Sequence, residues 1–78
     1  MSTVRLLDLQ MECSLYFEEN PYTIENGKGM ALRLGRTEED LKLVLDKLSV
    51  LTILIKVGDG EQAYYRYNQP DVLHKVIL

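Results

Sequence analysis

The chain has 78 residues, 46% of them hydrophobic, and a formal net charge of −3; these values indicate one small globular domain, residues 1–78, and exclude a disordered chain. Its single cysteine, Cys13, excludes an internal disulfide and favours a reducing, cytoplasmic location. No apolar run approaches the roughly 20 residues of a membrane-spanning helix, so no membrane partner is expected.

The first predicted element is a helix over residues 1–20, which ends before Pro21 because the residue preceding a proline avoids helical backbone angles. Its core face has the 3.6-residue period of a helix and comprises Leu6, Leu9, Cys13, Tyr16 and Phe17. A second apolar stripe, on roughly the opposite face, comprises Val4, Met11 and Leu15, with Leu7 at its border. A helix packed on one side only does not need this stripe, so it indicates a second packing surface.

Residues 26–48 predict two helices joined by a tight turn, after a short extended piece at 22–24. Asn26 is expected to cap the helix Gly27–Leu34, and Gly35 to end it with left-handed backbone angles. Thr37 is expected to cap the third helix. The inward stripe of that helix comprises Leu41, Val44, Leu45 and Leu48. Its first turn carries three carboxylates, Glu38, Glu39 and Asp40, where the helix dipole favours negative charge.

A β-hairpin is predicted over residues 52–67. Its first strand is apolar and β-branched, and the Gly-Asp-Gly turn at 58–60 contains glycines that are free to adopt positive φ. The returning strand is rich in tyrosine. We expect Tyr65 on the opposite face of the strand from Tyr64 and Tyr67, so that one face presents tyrosine to solvent or to a partner.

These segments occur in an order and spacing that resemble a winged helix-turn-helix domain, over residues 20–67. The resemblance rests on GMALRLG at 29–35, on RTEEDLKLVLDKLSVLTILIKV and on GDGEQAYYRY. It implies an α+β fold with a three-helix core, a β-hairpin wing and a short C-terminal helix, here at 70–78. Many members have glycine just before the first wing strand, where this chain has Thr52. Members most often bind DNA through the third helix, and others serve as interaction or dimerisation modules, so fold leaves both functions open.

Under the first hypothesis the chain is a transcription-regulator-like protein that binds double-stranded DNA as a dimer on paired half-sites. The candidate DNA contacts are Arg36, Lys42 and Lys47, with Lys56 and Arg66 as support from the wing. The charge pattern disfavours this hypothesis. Three carboxylates occupy the end of the third helix that normally enters the major groove first, and the wing tip, 59–61, is also acidic.

Under the second hypothesis the chain is a protein–protein interaction or dimerisation module without DNA binding. The predicted outer face of the third helix carries Glu39, Leu43 and Asp46, and Leu43 is the candidate contact. The candidate dimer surface comprises Val4, Leu7, Met11 and Leu15 of the first helix, with Val76 and Ile77 of the last. We expect a homodimer formed by residues 2–19 and 71–78; the alternative is that the last helix folds back onto the first within one chain.

Residue types that support catalysis or metal binding are few. One cysteine and one histidine, His74, cannot supply the usual four-ligand metal site. Cys13 lies on the predicted core face, where cysteines are usually inert. The glycine-rich segments at 27–29 and 58–60 match neither a P-loop nor a dinucleotide fingerprint. We therefore expect that the chain is not an enzyme and that it has no catalytic residue, metal or cofactor.

Overall fold

The computed structural model describes residues 3–69, so the predicted C-terminal helix, with Val76 and Ile77, lies outside the described residues. Within residues 3–69, three α-helices and three strands follow one another as α1 (Thr3–Glu19), β1 (Ile24–Glu25), α2 (Gly27–Leu34), α3 (Glu38–Val50), β2 (Leu54–Val57) and β3 (Tyr64–Tyr67), with a short 3-10 helix (Gly60–Gln62) between β2 and β3. The strands form one antiparallel sheet in the order β1-β3-β2. The architecture is α+β, as predicted, and is compatible with a small winged-helix-like fold.

The core lies between the three helices and one face of the sheet. From α1 it takes Leu9, Cys13 and Phe17, which are completely buried, with Leu6 and Tyr16 packed at its edge. The other helices and the hairpin contribute Met30, Ala31, Leu41, Val44, Leu45, Leu48, Leu54, Ala63 and Tyr65. The helical period of the apolar residues therefore predicts the inward faces of α1 and α3 as the structure has them.

Local hydrogen bonds place the ends of α2 and α3 where the sequence predicts them. The Asn26 side chain accepts a 2.7 Å hydrogen bond from the amide of Gly29, and Gly35 ends α2 with a φ of 66°. The Thr37 hydroxyl oxygen accepts a 3.2 Å hydrogen bond from the amide of Asp40. These caps satisfy amides that have no partner within the first turn of a helix.

The first hairpin strand begins at Leu54, two residues later than predicted. Thr52 has a φ of 63° and so cannot continue into an extended strand. Its amide donates to the carbonyl of Ser49 at 3.0 Å, and the amide of Ile53 donates to the carbonyl of Leu48 at 3.0 Å. This pair of bonds is the Schellman arrangement that ends a helix, with Thr52 in the left-handed position that glycine usually occupies.

The sheet differs from the prediction in two further respects. Residues 24–25 pair with β3 and add a third strand, with Ile24 opposite Arg66. The expected facing of the tyrosines is wrong, because positions two apart share a face and Tyr67 therefore lies with Tyr65. Tyr65 is buried and Tyr67 partly buried against the core, whereas Tyr64 is exposed on the outer face.

Candidate functional site

The first candidate DNA contact, Arg36, lies in the turn between α2 and α3 and forms an ion pair across the helices. Its Nη2 lies 3.2 Å from Oε2 of Glu12 on α1. Both side chains are partly exposed, so water screens the pair and its contribution to stability is about 1 kcal/mol or less. The guanidinium nevertheless already has a carboxylate as its partner.

Two further candidate cations are paired with carboxylates in the same way. Lys56 Nζ, on β2, lies 3.0 Å from Oδ1 of Asp46 on α3. Lys42 Nζ, on α3, lies 3.7 Å from Oε1 of Glu61 in the segment between β2 and β3. The pairs connect α3 to the hairpin, and they reduce the positive charge that the hairpin side of α3 offers to a phosphate.

The remaining two candidates, Lys47 and Arg66, have no ion-pair partner within residues 3–69. They lie on different surfaces: Lys47 borders a groove between α1 and α3, and Arg66 lies on the outer face of the sheet. Lys42 and Lys47, five residues apart, point about 140° away from each other around α3. The five predicted cations are therefore not brought together into one group.

The side chain of Asp46, which was predicted on the outer face of α3, contacts the hairpin and remains 51% exposed. Besides Lys56, it accepts a 2.5 Å hydrogen bond from the hydroxyl of Tyr65 on β3. Burial acts to raise the pKa of Asp46, but the bonds from Tyr65 and Lys56 outweigh it, and this pKa lies below its usual value. Burial, followed by the bond to Asp46, raises the pKa of Tyr65 well above its usual range. The cluster joins α3 to both strands of the hairpin.

The predicted partner residues of α1 and α3 converge on one surface. A groove of about 320 Å³ between the helices, here called the α1–α3 groove, is lined by Leu6, Leu7, Gln10, Leu43, Val44 and Lys47. Leu7 and Leu43 are 54% and 57% exposed. The groove continues into the α1 outer stripe, which comprises Val4, Leu7, Met11 and Leu15, all more than half exposed. These side chains form the apolar surface on which a partner could be held.

A second exposed surface, on the outer face of the sheet, was not predicted in full. It presents aliphatic and aromatic side chains around one arginine: Tyr22, Ile24, Ile55, Val57, Tyr64 and Arg66. A shallow hollow of about 460 Å³ extends from Arg66 to Pro21 and Gln69. The alternation of residues along the hairpin would have indicated most of this face, but the addition of Ile24 depends on β1 pairing with β3.

Cys13, the one cysteine, is enclosed in the core. Its thiol is completely buried, and burial, followed by the charge of Glu12, raises its pKa to about 12. The nucleophilic form of cysteine is the thiolate, so the environment of Cys13 suppresses its reactivity. Within residues 3–69 no three histidine, cysteine or acidic side chains are grouped closely enough to hold a metal ion.

No family model, curated protein or solved structure matches the chain. None of the helices formed by residues 3–69 has both the length and the apolar character needed to cross a membrane.

Proposed function

We propose that this chain is a non-enzymatic, winged-helix-like module that binds a protein partner through the α1 outer stripe and the α1–α3 groove. The convergence of Leu7 and Leu43, from two different helices, in one apolar groove is the observation that carries the proposal. Scattered exposed leucines are normal on a protein surface, but a contiguous apolar patch is typical of an interaction site.

The order of the elements supports the winged-helix part of the proposal. Helices α2 and α3 are joined by the short turn 35–37, and β2 and β3 follow as a hairpin that packs against α3 through Asp46 and Tyr65. The strand β1, between α1 and α2, adds to the edge of that hairpin. The buried, high-pKa thiol of Cys13 supports the non-enzymatic part.

The distribution of charge supports a protein partner over DNA. Three of the five candidate DNA-contacting cations already pair with carboxylates of the same chain. At the start of α3, Glu38 and Glu39 are exposed. Binding to DNA depends on cations that neutralise phosphate, and the whole chain has a net charge of −3. A partner held by apolar contacts does not require such cations.

Binding of duplex DNA by a dimeric, cytoplasmic regulator is the second candidate function. It is favoured by the helix-turn-helix order and by Lys47 and Arg66, which have no ion-pair partner within the described residues. The three surface ion pairs are each worth about 1 kcal/mol or less, so phosphate could compete for Arg36, Lys42 and Lys56.

Titration of random-sequence duplex DNA with the purified chain separates the two functions. At about 50 mM salt electrostatic binding is near its strongest, and the interaction module is expected to show no binding there. Binding that weakens steeply as salt is raised would contradict the proposal and support the second function.

Affinity capture with matched variants tests the apolar surface directly. Leu43→Glu places a charge in the α1–α3 groove, and Leu32→Glu places the same charge on α2, where Leu32 is 79% exposed and does not line the groove. The wild-type chain and Leu32→Glu should capture the same partner, which is either another protein or a second copy of the chain that carries a different tag. Leu43→Glu should not capture it. Equal retention by all three forms would argue against the groove.

A further inference from the structure

We infer that the partner at the α1 outer stripe is a second copy of this chain, bound with the two α1 helices antiparallel and the two-fold axis at Met11. The inference rests on the proposed function, because it names the occupant of the same surface. It depends on three features of α1: the spacing of its exposed apolar residues, the position of its core face and the distribution of its charges.

Two exposed leucines of α1, Leu7 and Leu15, are placed symmetrically about Met11. Leu7 and Leu15 each lie four residues from Met11, which is about 6 Å along the helix and about 40° around it. All three side chains are more than half exposed. Rotation by 180° about an axis through Met11 therefore exchanges the two leucines. In an antiparallel pair, Leu7 of one copy packs against Leu15 of the other, twice, and Met11 packs against its own counterpart.

This self-complementary arrangement is what a closed two-fold interface requires, because the same patch must serve on both subunits. The opposite face of α1, with Leu9, Cys13 and Phe17, is completely buried within its own chain. Association of the outer stripes therefore leaves the core of each copy intact. Leu7 belongs to both the stripe and the α1–α3 groove, so the interface between the two copies borders the groove.

The charges at the two ends of α1 favour the antiparallel direction. Its C-terminal end carries Glu18 and Glu19, and its last turn contains no basic residue. Negative charge at this end is unfavourable, because the helix dipole is already negative there. A parallel partner would place a second pair of carboxylates beside the first.

An antiparallel partner instead brings a cation to that end. Arg5 and Glu19 lie near opposite ends of α1, about 40° apart on the same flank of the outer stripe. With the axis at Met11, Arg5 of one copy lies within about 3 Å, measured along the helices, of the level of Glu19 of the other. The two-fold axis produces this opposite-charge pairing twice.

Disulfide cross-linking of single-cysteine replacements tests the direction and the register together. Met11→Cys, at the axis, should by itself form a disulfide-linked dimer when a mild oxidant such as oxidised glutathione is added. Leu7→Cys and Leu15→Cys should cross-link to each other when mixed. The yield of cross-linked dimer should be several-fold lower when each variant is oxidised alone. Like positions lie about 12 Å apart along antiparallel helices, whereas a disulfide requires Cα atoms within about 7 Å.

The wild-type chain is the matched control, since its Cys13 is completely buried and should give no cross-link under the same oxidation. Circular dichroism of each variant should match that of the wild type, so that cross-linking is compared between folded chains. Self-cross-linking of Leu7→Cys and of Leu15→Cys, without preference for the mixture, would indicate parallel helices and overturn the inference. A wild-type monomer in sedimentation at high micromolar concentration, with no cross-linking in any sample, would overturn it as well.

The outcomes also distinguish this inference from the proposed function. If the chain does not cross-link but captures another protein in a Leu43-dependent manner, the proposed function is supported and a second copy as the partner is contradicted. If the chain cross-links as expected but also binds duplex DNA, the antiparallel dimer is supported, and the proposal of an interaction module without DNA binding is contradicted.

Discussion

The hydroxyl of Tyr65 donates a 2.5 Å hydrogen bond to Oδ1 of Asp46 and thereby joins β3 to α3. The tyrosine ring is buried, and Lys56 Nζ lies 3.0 Å from the same carboxylate oxygen and 5.9 Å from the centre of the ring. Because the acceptor is charged and the donor is removed from water, this bond is stronger than an exposed neutral one.

Replacement Tyr65→Phe removes the hydroxyl and leaves the ring in the core. We expect the free energy of unfolding to fall by about 1.5–3 kcal/mol, the usual contribution of a hydrogen bond to a charged group. Urea denaturation followed by circular dichroism measures the change. Tyr64→Phe, on the exposed face of the same strand, is the matched control and should change stability by less than about 0.5 kcal/mol. Equal effects of the two replacements would contradict the role of the Tyr65–Asp46 bond.

The lowered pKa of Asp46 predicts a loss of stability in acid. A carboxyl whose pKa is lower in the folded chain than in the unfolded chain stabilises the fold above the unfolded value, near 4. This contribution is lost as pH falls through the folded value. The unfolding free energies of the wild type and Asp46→Asn, measured from pH 2 to pH 6, should differ most at the upper end and converge toward the lower. A constant difference would show that Asp46 titrates normally.

The raised pKa of Cys13 predicts slow labelling by thiol reagents. In the folded chain the thiolate is disfavoured up to about pH 12, whereas the unfolded thiol ionises near its ordinary value of 9.0. Alkylation by iodoacetamide at pH 8 should therefore be slow in buffer and fast in denaturant. The same shift makes the fold lose stability as pH rises above 9, since the unfolded chain releases the proton first. Rapid labelling of the folded chain would place the thiol outside the core.

The left-handed backbone at Thr52 predicts a stabilising replacement by glycine. A β-branched residue at a φ of 63° is strained, and glycine adopts that conformation without a steric penalty. Thr52→Gly should raise the unfolding free energy by about 1 kcal/mol, after the entropic cost of glycine in the unfolded chain is included. Thr23→Gly is the control, because Thr23 does not have a positive φ, and it should lower stability by about 0.5–1 kcal/mol. A loss of stability in both variants would contradict the strain at Thr52.

The inward faces of the helices and the ends of α2 and α3 could be predicted from the sequence, because the interactions that determine them are short-range. Asn26 caps α2 through an amide three residues away, and Thr37 caps α3 in the same way. Gly35 adopts a left-handed φ that few other residues accept. The apolar period of α1 likewise indicated both the face that enters the core and the outer stripe that stays exposed.

Other features depended on residues far apart in the chain, and no local pattern specified them. The partner of Arg36 is Glu12, 24 residues earlier, and that of Tyr65 is Asp46, 19 residues earlier. The short strand at Ile24 forms only because β3 supplies its hydrogen-bond partners. Periodicity shows which side of a helix is apolar, but only the packing of α3 against the hairpin paired Asp46 with Tyr65 and Lys56. The same packing of helices brought Leu7 and Leu43 into one groove. Short-range hydrogen bonds and apolar period thus account for the elements and their inward faces, whereas pairing between distant residues decided which charges remained available and where the apolar surface lay.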